Sequence, residues 1–362
     1  EPGVVHVSDA SKSVGVVAQL LSAEKRGAFL DGNASEQEAA RKAFAERPTR
    51  RELLSLADAR KRREVLNFAS ESIAQPGAGG VAITTYEPSV EELIPYIDWT
   101  PFFHTWELRG GSYPGILDKP KVGERARELK ADADAMLERV VSGGWLTTKA
   151  VFGLFSAYAD GDDIVLAGPK GETRLPMLRQ QEAASRGRPQ RCLADFVAPK
   201  GGGDHVGAFV LTAGLGAAEH VARYKSDHDD YSAIMLQSVA DRLAEALAEW
   251  LHEKAREAWG YETAGSLDPA ELIKERYRGI RPAPGYPACP DHVLKPRIFD
   301  LLSAEAATGV VLTESHAMSP AASVSGLYFA HPDVKYFAVG LVGRDQVADY
   351  AKRLGSTQGE AE

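Results

Sequence analysis

Apolar residues recur at every third or fourth position along several stretches of this chain, the spacing that lines one face of an α-helix. The longest stretch covers residues 229–259, where large apolar side chains repeat from end to end, so this helix is predicted to be packed along its length. Gly355 follows the last stretch and is typical of a helix C-cap. The stretches that predict helices by this spacing are residues 9–22, 121–141, 229–259, 295–302 and 343–355.

Capping signals mark further helix starts. Ser89 and Glu92 form a capping box, in which the serine oxygen accepts from a backbone amide of the first turn and the glutamate reaches back to the serine amide. A helix is also predicted to start at Ser35, within an Ala-, Glu-, Arg- and Lys-rich segment that we expect to be a helical linker. Pro269 near a first turn predicts a helix over residues 269–275.

Shorter stretches rich in β-branched and aromatic residues predict strands. Residues 151–155 and 164–166 flank the acidic segment 160–163, which predicts a β-hairpin with a tight turn, because the twelve-residue ligand spacing of a calcium loop is absent. The other strand candidates are residues 81–86, 193–197, 205–212, 309–313, 325–330 and 336–342.

The order of these elements predicts the fold class. Strands come mostly in hairpins and helices come in runs, which favours an α+β fold over a doubly wound one. We expect a single large domain with a twisted antiparallel sheet flanked by helices, preceded by the helical linker.

Residues 281–292 (RPAPGYPACPDH) contain four prolines, so neither a helix nor a central strand can run through them. We expect a stiff, extended loop with unpaired carbonyls, a hinge at Gly285 and an aromatic ring at Tyr286. Composition alone favours a proline-rich connector between two helices. The rigidity of such a loop is nevertheless useful mainly for holding something.

Residues 98–106 (DWTPFFHTW) place four large aromatic side chains and one acid within nine positions. Two interpretations are open: a cluster at the edge of the core, or the wall of a cleft for a flat ligand with Asp98 as a hydrogen-bond acceptor at its rim. Glu245 and Glu249 lie one turn apart on the longest predicted helix. Either could face a cleft, although surface exposure is the ordinary outcome for a glutamate.

Length, charge and cysteine content limit the class of protein. The 362 residues are enough for one large or two ordinary domains, and the net charge of −9 argues against a nucleic-acid-binding face and suits an acidic cytoplasmic enzyme. No apolar run has the length of a membrane span. Cys192 and Cys289 are too few for a disulfide framework or a four-cysteine zinc site, so reduced thiols are expected. Because the chain starts at Glu1 without a signal pattern, we expect a fragment of a longer or processed protein.

Motifs of self-contained catalysis are absent from the sequence, since HExxH, GxSxG and GxxxxGK[ST] do not occur. His228 lies among aspartates, which are metal-ligand residue types, but acids at a helix start are better explained as caps. Ser315 and His316 are adjacent in sequence, and such neighbours rarely meet in the geometry of a nucleophile and its base. No catalytic residues are therefore predicted.

Several segments, taken together and in order, resemble the C-terminal reactivation module of cobalamin-dependent methionine synthase. The run RPAPGYPACP at residues 281–290 is highly specific, and the likeness extends over roughly residues 90–355. The opening DASKSVGVV at residues 9–17 resembles the last helix of that enzyme's cobalamin-binding domain. The other matching segments are YIDWTPFF at 96–103, DFVAP at 195–199, ADRLAE at 240–245, TES at 313–315, SVSG at 323–326 and HPD at 331–333.

The resemblance implies a domain organisation. Residues 1–33 would be the C-terminal remnant of a cobalamin-binding domain, residues 34–50 a linker, residues 51–357 the activation domain that binds S-adenosylmethionine, and residues 358–362 a tail. The family's cobalamin-ligating Asp-x-His-x-x-Gly motif and the cysteine zinc ligands of its homocysteine domain are absent here. Cobalamin and zinc are therefore expected only in the rest of the full-length enzyme, and this chain alone should not make methionine.

The resemblance also implies a function within a methyltransferase that makes methionine from methyltetrahydrofolate and homocysteine. Such enzymes stall when their cobalamin loses an electron. The reactivation module binds S-adenosylmethionine and presents its methyl group to the cobalt while a flavodoxin-type partner supplies an electron. The expected partners are thus the cobalamin-binding domain of the same polypeptide and a flavodoxin-type electron donor. Because this methyl transfer moves no proton, the resemblance accounts for the missing acid–base residues.

By the resemblance, Arg281 grips the carboxylate of S-adenosylmethionine with two hydrogen bonds, and Asp98 or a nearby glutamate takes the ammonium group. Carboxylates and tyrosine rings suit the sulfonium, and carbonyls of the proline-rich loop accept from the adenine amine. The expected ligand contacts are Asp98, Arg281, Tyr336 and Phe337, with Glu245, Glu275, Tyr286 and Ala283 as further lining.

Two alternative functions are open at this point. The chain could be a docking module, in which the acidic body and the basic patch at residues 60–63 recruit the cobalamin-binding domain or flavodoxin and the small-molecule site is vestigial. The patch is more simply a solvated helix face. A free-standing enzyme on an unknown substrate is the third hypothesis.

Overall fold

The computed structural model describes residue 5 and residues 10–45, 52–69, 73–76, 83–183, 187–357 and 359. Contacts between residues divide the chain into two compact units, Glu1–Glu52 and Leu53–Glu362. Of the predicted tail at residues 358–362, all but residue 359 lies outside the described residues.

The described residues of the first unit form two helices, α1 (Ala10–Leu21) and α2 (Arg26–Ala45). Helix α1 confirms the helix predicted over residues 9–22, although Asp9 lies outside the described residues. Helix α2 begins well before the predicted start at Ser35, because no proline interrupts residues 26–45. The boundary predicted between residues 33 and 34 falls inside it, and the assignment of residues 1–33 to a cobalamin-binding domain stays a prediction.

The second unit is built on a six-stranded antiparallel sheet and carries a separate two-stranded one. The strands are β1 (Thr84–Tyr86), β2 (Thr147–Asp160), β3 (Asp163–Gly168), β4 (Gly171–Pro176), β5 (Asp204–Leu215), β6 (Val311–Leu312), β7 (Met318–Ser319) and β8 (Ser323–Tyr328). In the large sheet the order is β4-β3-β2-β5-β8, and β1 pairs with the first half of β2. Strands β6 and β7 form the small sheet.

Ten helices are described in this unit. They are α3 (Leu56–Lys61), α4 (Val90–Leu93), α5 (Thr100–Thr105), α6 (Gly123–Gly143), α7 (Ala217–Ser226), α8 (Asp230–Trp259), α9 (Pro269–Ile273), α10 (Lys295–Leu302), α11 (Ala304–Thr308) and α12 (Arg344–Leu354). Single 3-10 turns cover Ile94–Tyr96, Gly115–Asp118, Leu193–Phe196 and His292–Leu294.

Helices cover both faces of the large sheet. Neighbouring residues along a strand point to opposite faces, so each strand contributes side chains to the contacts on both faces. On β5, Phe209 and Leu211 join the core that contains α6 and α8, whereas Ala208 and Val210 join the core that contains α10 and α11. Each face therefore buries its own apolar cluster. This arrangement confirms the predicted α+β fold with an antiparallel sheet flanked by helices.

Several local predictions are confirmed. Ser89 and Glu92 make both hydrogen bonds of the capping box at the start of α4. Strands β2 and β3 form the predicted hairpin, with Gly161 in the left-handed region at φ +63°. Asp229 caps α8 by accepting from Ser232 N at 2.9 Å, so one of the aspartates beside His228 acts as the predicted cap.

Two predicted strands are wrong. Residues 193–197 begin with the 3-10 turn Leu193–Phe196, because the Asp195 carboxylate accepts from Cys192 N at 3.0 Å and closes the chain locally. Residues 336–342 form no strand, and Gly340 there takes φ +71°. Instead of joining a ladder, Val339 N donates to the carbonyl of Pro287 at 2.8 Å.

The cysteine content predicts reduced thiols. Cys192 and Cys289 are both free thiols in the buried interior. Among the described residues, none of the helices combines the length and apolarity required to cross a membrane. Within the same residues no group of three or more His, Cys, Asp or Glu side chains is arranged to hold a metal ion.

Candidate functional site

A cavity of about 490 Å³ opens beside the edge strand β8, between helix α8 and three loops. Ligand sites for small molecules have volumes of about 300–1,000 Å³ and mostly apolar walls with a few polar groups. The residues that line this cavity are likewise mostly apolar, with a few charged and phenolic side chains. They are Phe209, Glu245, Glu275, Arg281, Pro282, Ala283, Tyr286, Pro287, Ala288, Val324, Tyr336 and Phe337.

The proline-rich loop forms one wall because backbone hydrogen bonds hold it to neighbouring segments. Leu327 N on β8 donates to the carbonyl of Pro282 at 2.9 Å. Val339 N, from the segment after β8, donates to the carbonyl of Pro287 at 2.8 Å. Both ends of the wall are thereby fixed to neighbouring backbone rather than left as a free connector.

Gly326 makes this close approach possible. A Cβ at that position would lie 2.8 Å from the carbonyl oxygen of Pro282 and 2.8 Å from the ring of Phe209. Neither neighbour can move easily, since one is backbone and the other is a buried ring. Because Gly326 has no side chain, the proline-rich loop can pack this closely against β8.

The loop itself is not the extended segment with unpaired carbonyls that its prolines predict. Gly285 N donates to the carbonyl of Cys289 at 2.8 Å, and Gly285 takes φ +101°. Tyr286 N donates to Ala283 O at 3.1 Å, and Cys289 N donates to Tyr286 O at 2.9 Å. The prediction was wrong because prolines remove only their own amides, and the remaining amides pair within two linked turns.

Arg281 begins this loop, and its guanidinium is held by two partners. Nη2 lies 2.8 Å from Oε2 of Glu249 in an ion pair, and Nη1 donates to the hydroxyl of Tyr277 at 2.5 Å. Its backbone N donates to the hydroxyl of Tyr336 at 3.0 Å. Burial disfavours the charge, but Glu249 and Tyr277 more than offset it and raise the pKa of Arg281 further above its usual range. The guanidinium therefore stays charged in the cavity wall.

Glu249 lies behind Arg281 on helix α8, with only 5% of its side chain exposed. Burial raises the pKa of this carboxyl, while the positive charges of Arg281 and Arg256 oppose the rise. Its Oε2 is engaged by Arg281 and, at 3.5 Å, by the hydroxyl of Tyr277. Within the described part of the chain its Oε1 meets no hydrogen-bond donor.

Two further carboxylates line the cavity. Glu245 lies on α8 one turn before Glu249, and Glu275 follows α9 in the left-handed region at φ +53°. Burial and then the nearby charge of Glu245 raise the pKa of the Tyr286 phenol. The lining thus combines one fixed cation with two acids, a charge pattern that matches a ligand carrying both signs.

Aromatic rings supply the flat surfaces of the site. Tyr286 and Tyr336 are 56% and 45% exposed, so they stand at the mouth of the cavity. Phe337 packs edge-on against Phe196, with 6.0 Å between the ring centroids. These rings offer faces against which a planar heterocycle can stack.

Asp98 is placed outside this lining. Its Oδ1 accepts from Thr100 N at 2.9 Å, at the start of α5. The neighbouring rings of Trp99, Phe102 and Phe103 are buried in the core that contains α6 and α8. Of the two interpretations of residues 98–106, the structure supports a core cluster for these rings.

Seven of the eight residues expected to contact the ligand come together in one cavity. They are Glu245, Glu275, Ala283, Arg281, Tyr286, Tyr336 and Phe337. Pro282, Pro287 and Ala288 belong to the run that carries the resemblance, so that run could have indicated them. Phe209 and Val324 are ordinary strand residues without a sequence signal, and Tyr277, four residues before Arg281, lies outside the segments that carry the resemblance.

Comparisons with known proteins agree on one family. The model of the family described as vitamin B12 dependent methionine synthase, activation domain, matches residues 89–355, which include the whole cavity lining. The chain is also similar to a solved structure, the crystal structure of the MetH reactivation domain bound to AdoHcy. The two are 46% identical with a TM-score of 0.80, over 86% of this chain and 96% of that chain.

Proposed function

This chain belongs to the family of activation domains of vitamin B12 dependent methionine synthase, and from that premise we propose that it binds S-adenosylmethionine in the cavity beside Arg281. In this proposal the domain presents the ligand's methyl group for the reductive reactivation of cobalamin. The single observation that carries it is a charged, partly buried guanidinium in the wall of a mostly apolar cavity that also holds two acids.

The ligand's carboxylate is assigned to Arg281. A guanidinium presents its N–H groups in a planar fork that fits a carboxylate with two parallel hydrogen bonds. Arg281 keeps N–H groups in addition to those that bind Glu249 and Tyr277, and it lines the cavity. The similar MetH reactivation domain was crystallised with AdoHcy, which carries the same carboxylate as S-adenosylmethionine.

The ligand's positive groups are assigned to the acids of the lining. Glu245 and Glu275 lie in the cavity wall, where a carboxylate attracts an ammonium or a sulfonium more strongly than in bulk water. Asp98 is kept as a proposed ammonium contact on the resemblance, although it lies outside the lining of the structure. The rings of Tyr286 and Tyr336 stand at the mouth, where they can face the sulfonium or the adenine.

The protein's contribution in this proposal is binding and orientation. S-adenosylmethionine supplies the methyl group, cobalamin carried by another domain of the same polypeptide accepts it, and a flavodoxin-type partner supplies one electron. No group of this chain has to gain or lose a proton, so a cavity without an acid–base pair is sufficient. The isolated chain is not proposed to make methionine.

Calorimetric titration with S-adenosylmethionine tests the proposal. Arg281→Lys keeps the positive charge but removes the fork, and we expect about ten- to a hundredfold weaker binding than in the unchanged chain. Arg297→Lys is the matched control, because the Arg297 guanidinium likewise makes two hydrogen bonds, to the carbonyls of Arg174 and Leu354, but lies on α10 away from the lining. Failure of the well-folded chain to bind S-adenosylmethionine would refute the proposal and favour the docking-module alternative.

The ammonium contact is tested separately. Glu275→Gln and Asp98→Asn each remove one negative charge with little change of shape. If the lining acid is the contact, Glu275→Gln weakens binding by about tenfold and Asp98→Asn has an effect of less than about twofold. The reverse ranking would assign the ammonium to Asp98, the other contact that the sequence analysis left open.

A further inference from the structure

Glu249 occupies a position where an apolar residue would be expected. It lies on the inward side of α8, between the fully buried Leu247 and Leu251. Removing a carboxylate from water is costly unless partners compensate for the lost hydration. The partners that the structure gives Glu249 are Arg281 and Tyr277, both at the cavity side of the helix.

Among the residues that the structure describes, this carboxylate makes no hydrogen bonds other than those to Arg281 and Tyr277. Within the described residues its Oε1 is buried and accepts no hydrogen bond, whereas Glu253, one turn further along α8, accepts from the hydroxyl of Tyr96 at 2.8 Å. Glu249 therefore does not serve as a cap or a link between other elements. Its hydrogen bonds are all directed at the guanidinium of Arg281 and the hydroxyl that supports it.

Tyr277 is itself fixed from two sides. The guanidinium carbon of Arg256 lies 4.0 Å from the centre of its ring, and the ring of His252 packs edge-on with 5.0 Å between centroids. Its hydroxyl accepts from Arg281 Nη1 and donates towards Glu249 Oε2 at 3.5 Å. The three polar groups thus form a closed triangle with little freedom to rotate.

We propose that Glu249 is a positioning residue that, together with Tyr277, holds Arg281 in the orientation needed for the ligand's carboxylate. This inference rests on the proposed binding of S-adenosylmethionine at Arg281. One N–H group of the guanidinium is used by Glu249 and one by Tyr277, and the others are left for a ligand in the cavity. The backbone of Arg281 is fixed as well, by the hydrogen bond from its N to Tyr336.

An arginine side chain has many rotamers, and a ligand that must restrict them on binding binds more weakly. An Arg281 side chain already held in one rotamer avoids this entropic cost. Removing the charge of Glu249 would also lessen its repulsion of the ligand's carboxylate. The two effects have opposite signs, so a titration can separate positioning from competition for Arg281.

The experiment compares two ligands of equal net charge. AdoHcy and methylthioadenosine share the adenosine and a thioether, but only AdoHcy has the amino-acid group that Arg281 is proposed to bind. In Glu249→Gln we expect AdoHcy binding to weaken about tenfold and methylthioadenosine binding to change by less than about twofold. Tyr277→Phe should act in the same direction with a loss of about threefold. Glu253→Gln is the matched control and should leave both affinities unchanged.

Other changes in the two ligand affinities would distinguish positioning of Arg281 from competition with the ligand and from a general structural effect. Tighter AdoHcy binding by Glu249→Gln would show that Glu249 competes with the ligand, and equal weakening of both ligands would show a general structural effect. An unchanged AdoHcy affinity would also overturn the inference, while leaving the proposed function intact. Absence of both AdoHcy and S-adenosylmethionine binding by the unchanged, folded chain would overturn the proposed function and this inference together. Thermal unfolding of each variant identifies any that fails to fold.

Discussion

Charged and aromatic side chains beneath the cavity form a buried polar layer. The ring of Tyr328 stacks on Phe209 of the lining at 4.5 Å and on His252 at 4.8 Å. His252 is only 1% exposed, and in the described part of the chain neither ring nitrogen has a hydrogen-bond partner. Burial, and then the charges of Arg256 and Arg281, hold the pKa of His252 well below its usual range. The folded protein therefore keeps this imidazole neutral.

A neutral buried histidine makes stability depend on pH. The unfolded chain takes up a proton at His252 below about pH 6.5, but the folded chain does not, so the free energy of unfolding falls as the pH falls. Between pH of about 7.5 and about 5.5 the free energy of unfolding of the unchanged chain should fall by about 1 kcal/mol more than that of His252→Phe, which cannot titrate. Urea unfolding at the two pH values measures this difference, and equal losses in both proteins would contradict it.

The polar residues of the lining could be predicted from the sequence, but the residues that hold Arg281 in place could not. Arg281, Glu245 and Tyr336 were expected from the resemblance and lie in one cavity. Whether Glu245 or Glu249 would face a cleft stayed open, because the helical period alone does not reveal what packs beside each turn. Tyr277 lies only four residues before Arg281, but no helix spans these residues, so the helical period gives no sign that their side chains meet.

At the scale of secondary structure, the proline-rich loop depends on a glycine in the neighbouring strand. Gly326→Ala would place a methyl group 2.8 Å from the carbonyl oxygen of Pro282, so the loop or the strand must shift. We expect a loss of about 1–3 kcal/mol in the free energy of unfolding, from overpacking, and weaker AdoHcy binding in the same variant. Denaturant unfolding and calorimetry measure the two effects.

Gly115→Ala provides the control for that substitution. A methyl group added at Gly115 would have no other atom within 4 Å, and this residue does not line the cavity. The variant should therefore keep the stability and affinity of the unchanged chain within about 0.5 kcal/mol. If Gly326→Ala behaved like Gly115→Ala, close packing of the loop on β8 would not be needed for the site.

Elements with strong local signals were predictable, and those set by distant partners were not. The β2–β3 hairpin was predictable from its turn residues, and α8 was predictable from the helical spacing of its apolar residues. The 3-10 turn at Leu193–Phe196 and the irregular segment 336–342 contain strand-forming residues, yet a side-chain cap and the bond to the Pro287 carbonyl decide their conformation. The proline-rich loop combines both cases, since its own amides fold it into two turns while the hydrogen bond from Leu327 on β8 fixes its position.

At the scale of the whole molecule, the site lies at the edge of a sheet whose two faces are each buried by their own core. The order of strands could not be read from the sequence, because β8 pairs with β5 across a long intervening segment that holds α7 to α11. The fold class could be predicted, since it follows from the local grouping of hairpins and helices. The family match covers residues 89–355 and thus nearly all of the sheet together with the site.

The predicted activation domain is residues 51–357, and the second compact unit begins at Leu53. A protein consisting of residues 51–357 should therefore fold and bind AdoHcy within about twofold of the full chain, because no residue of the lining lies before it. Calorimetry on both proteins measures this. Loss of folding or of binding in the shorter protein would mean that residues 1–50 contribute to the stability or the site.

A crystal structure of this chain with S-adenosylmethionine bound would show directly whether Arg281 holds the ligand. We expect the ligand in the cavity of about 490 Å³, with its carboxylate hydrogen-bonded to the Arg281 guanidinium and Glu249 still paired behind it. A ligand bound elsewhere, or one in the cavity whose carboxylate does not contact Arg281, would refute the assignment of the site.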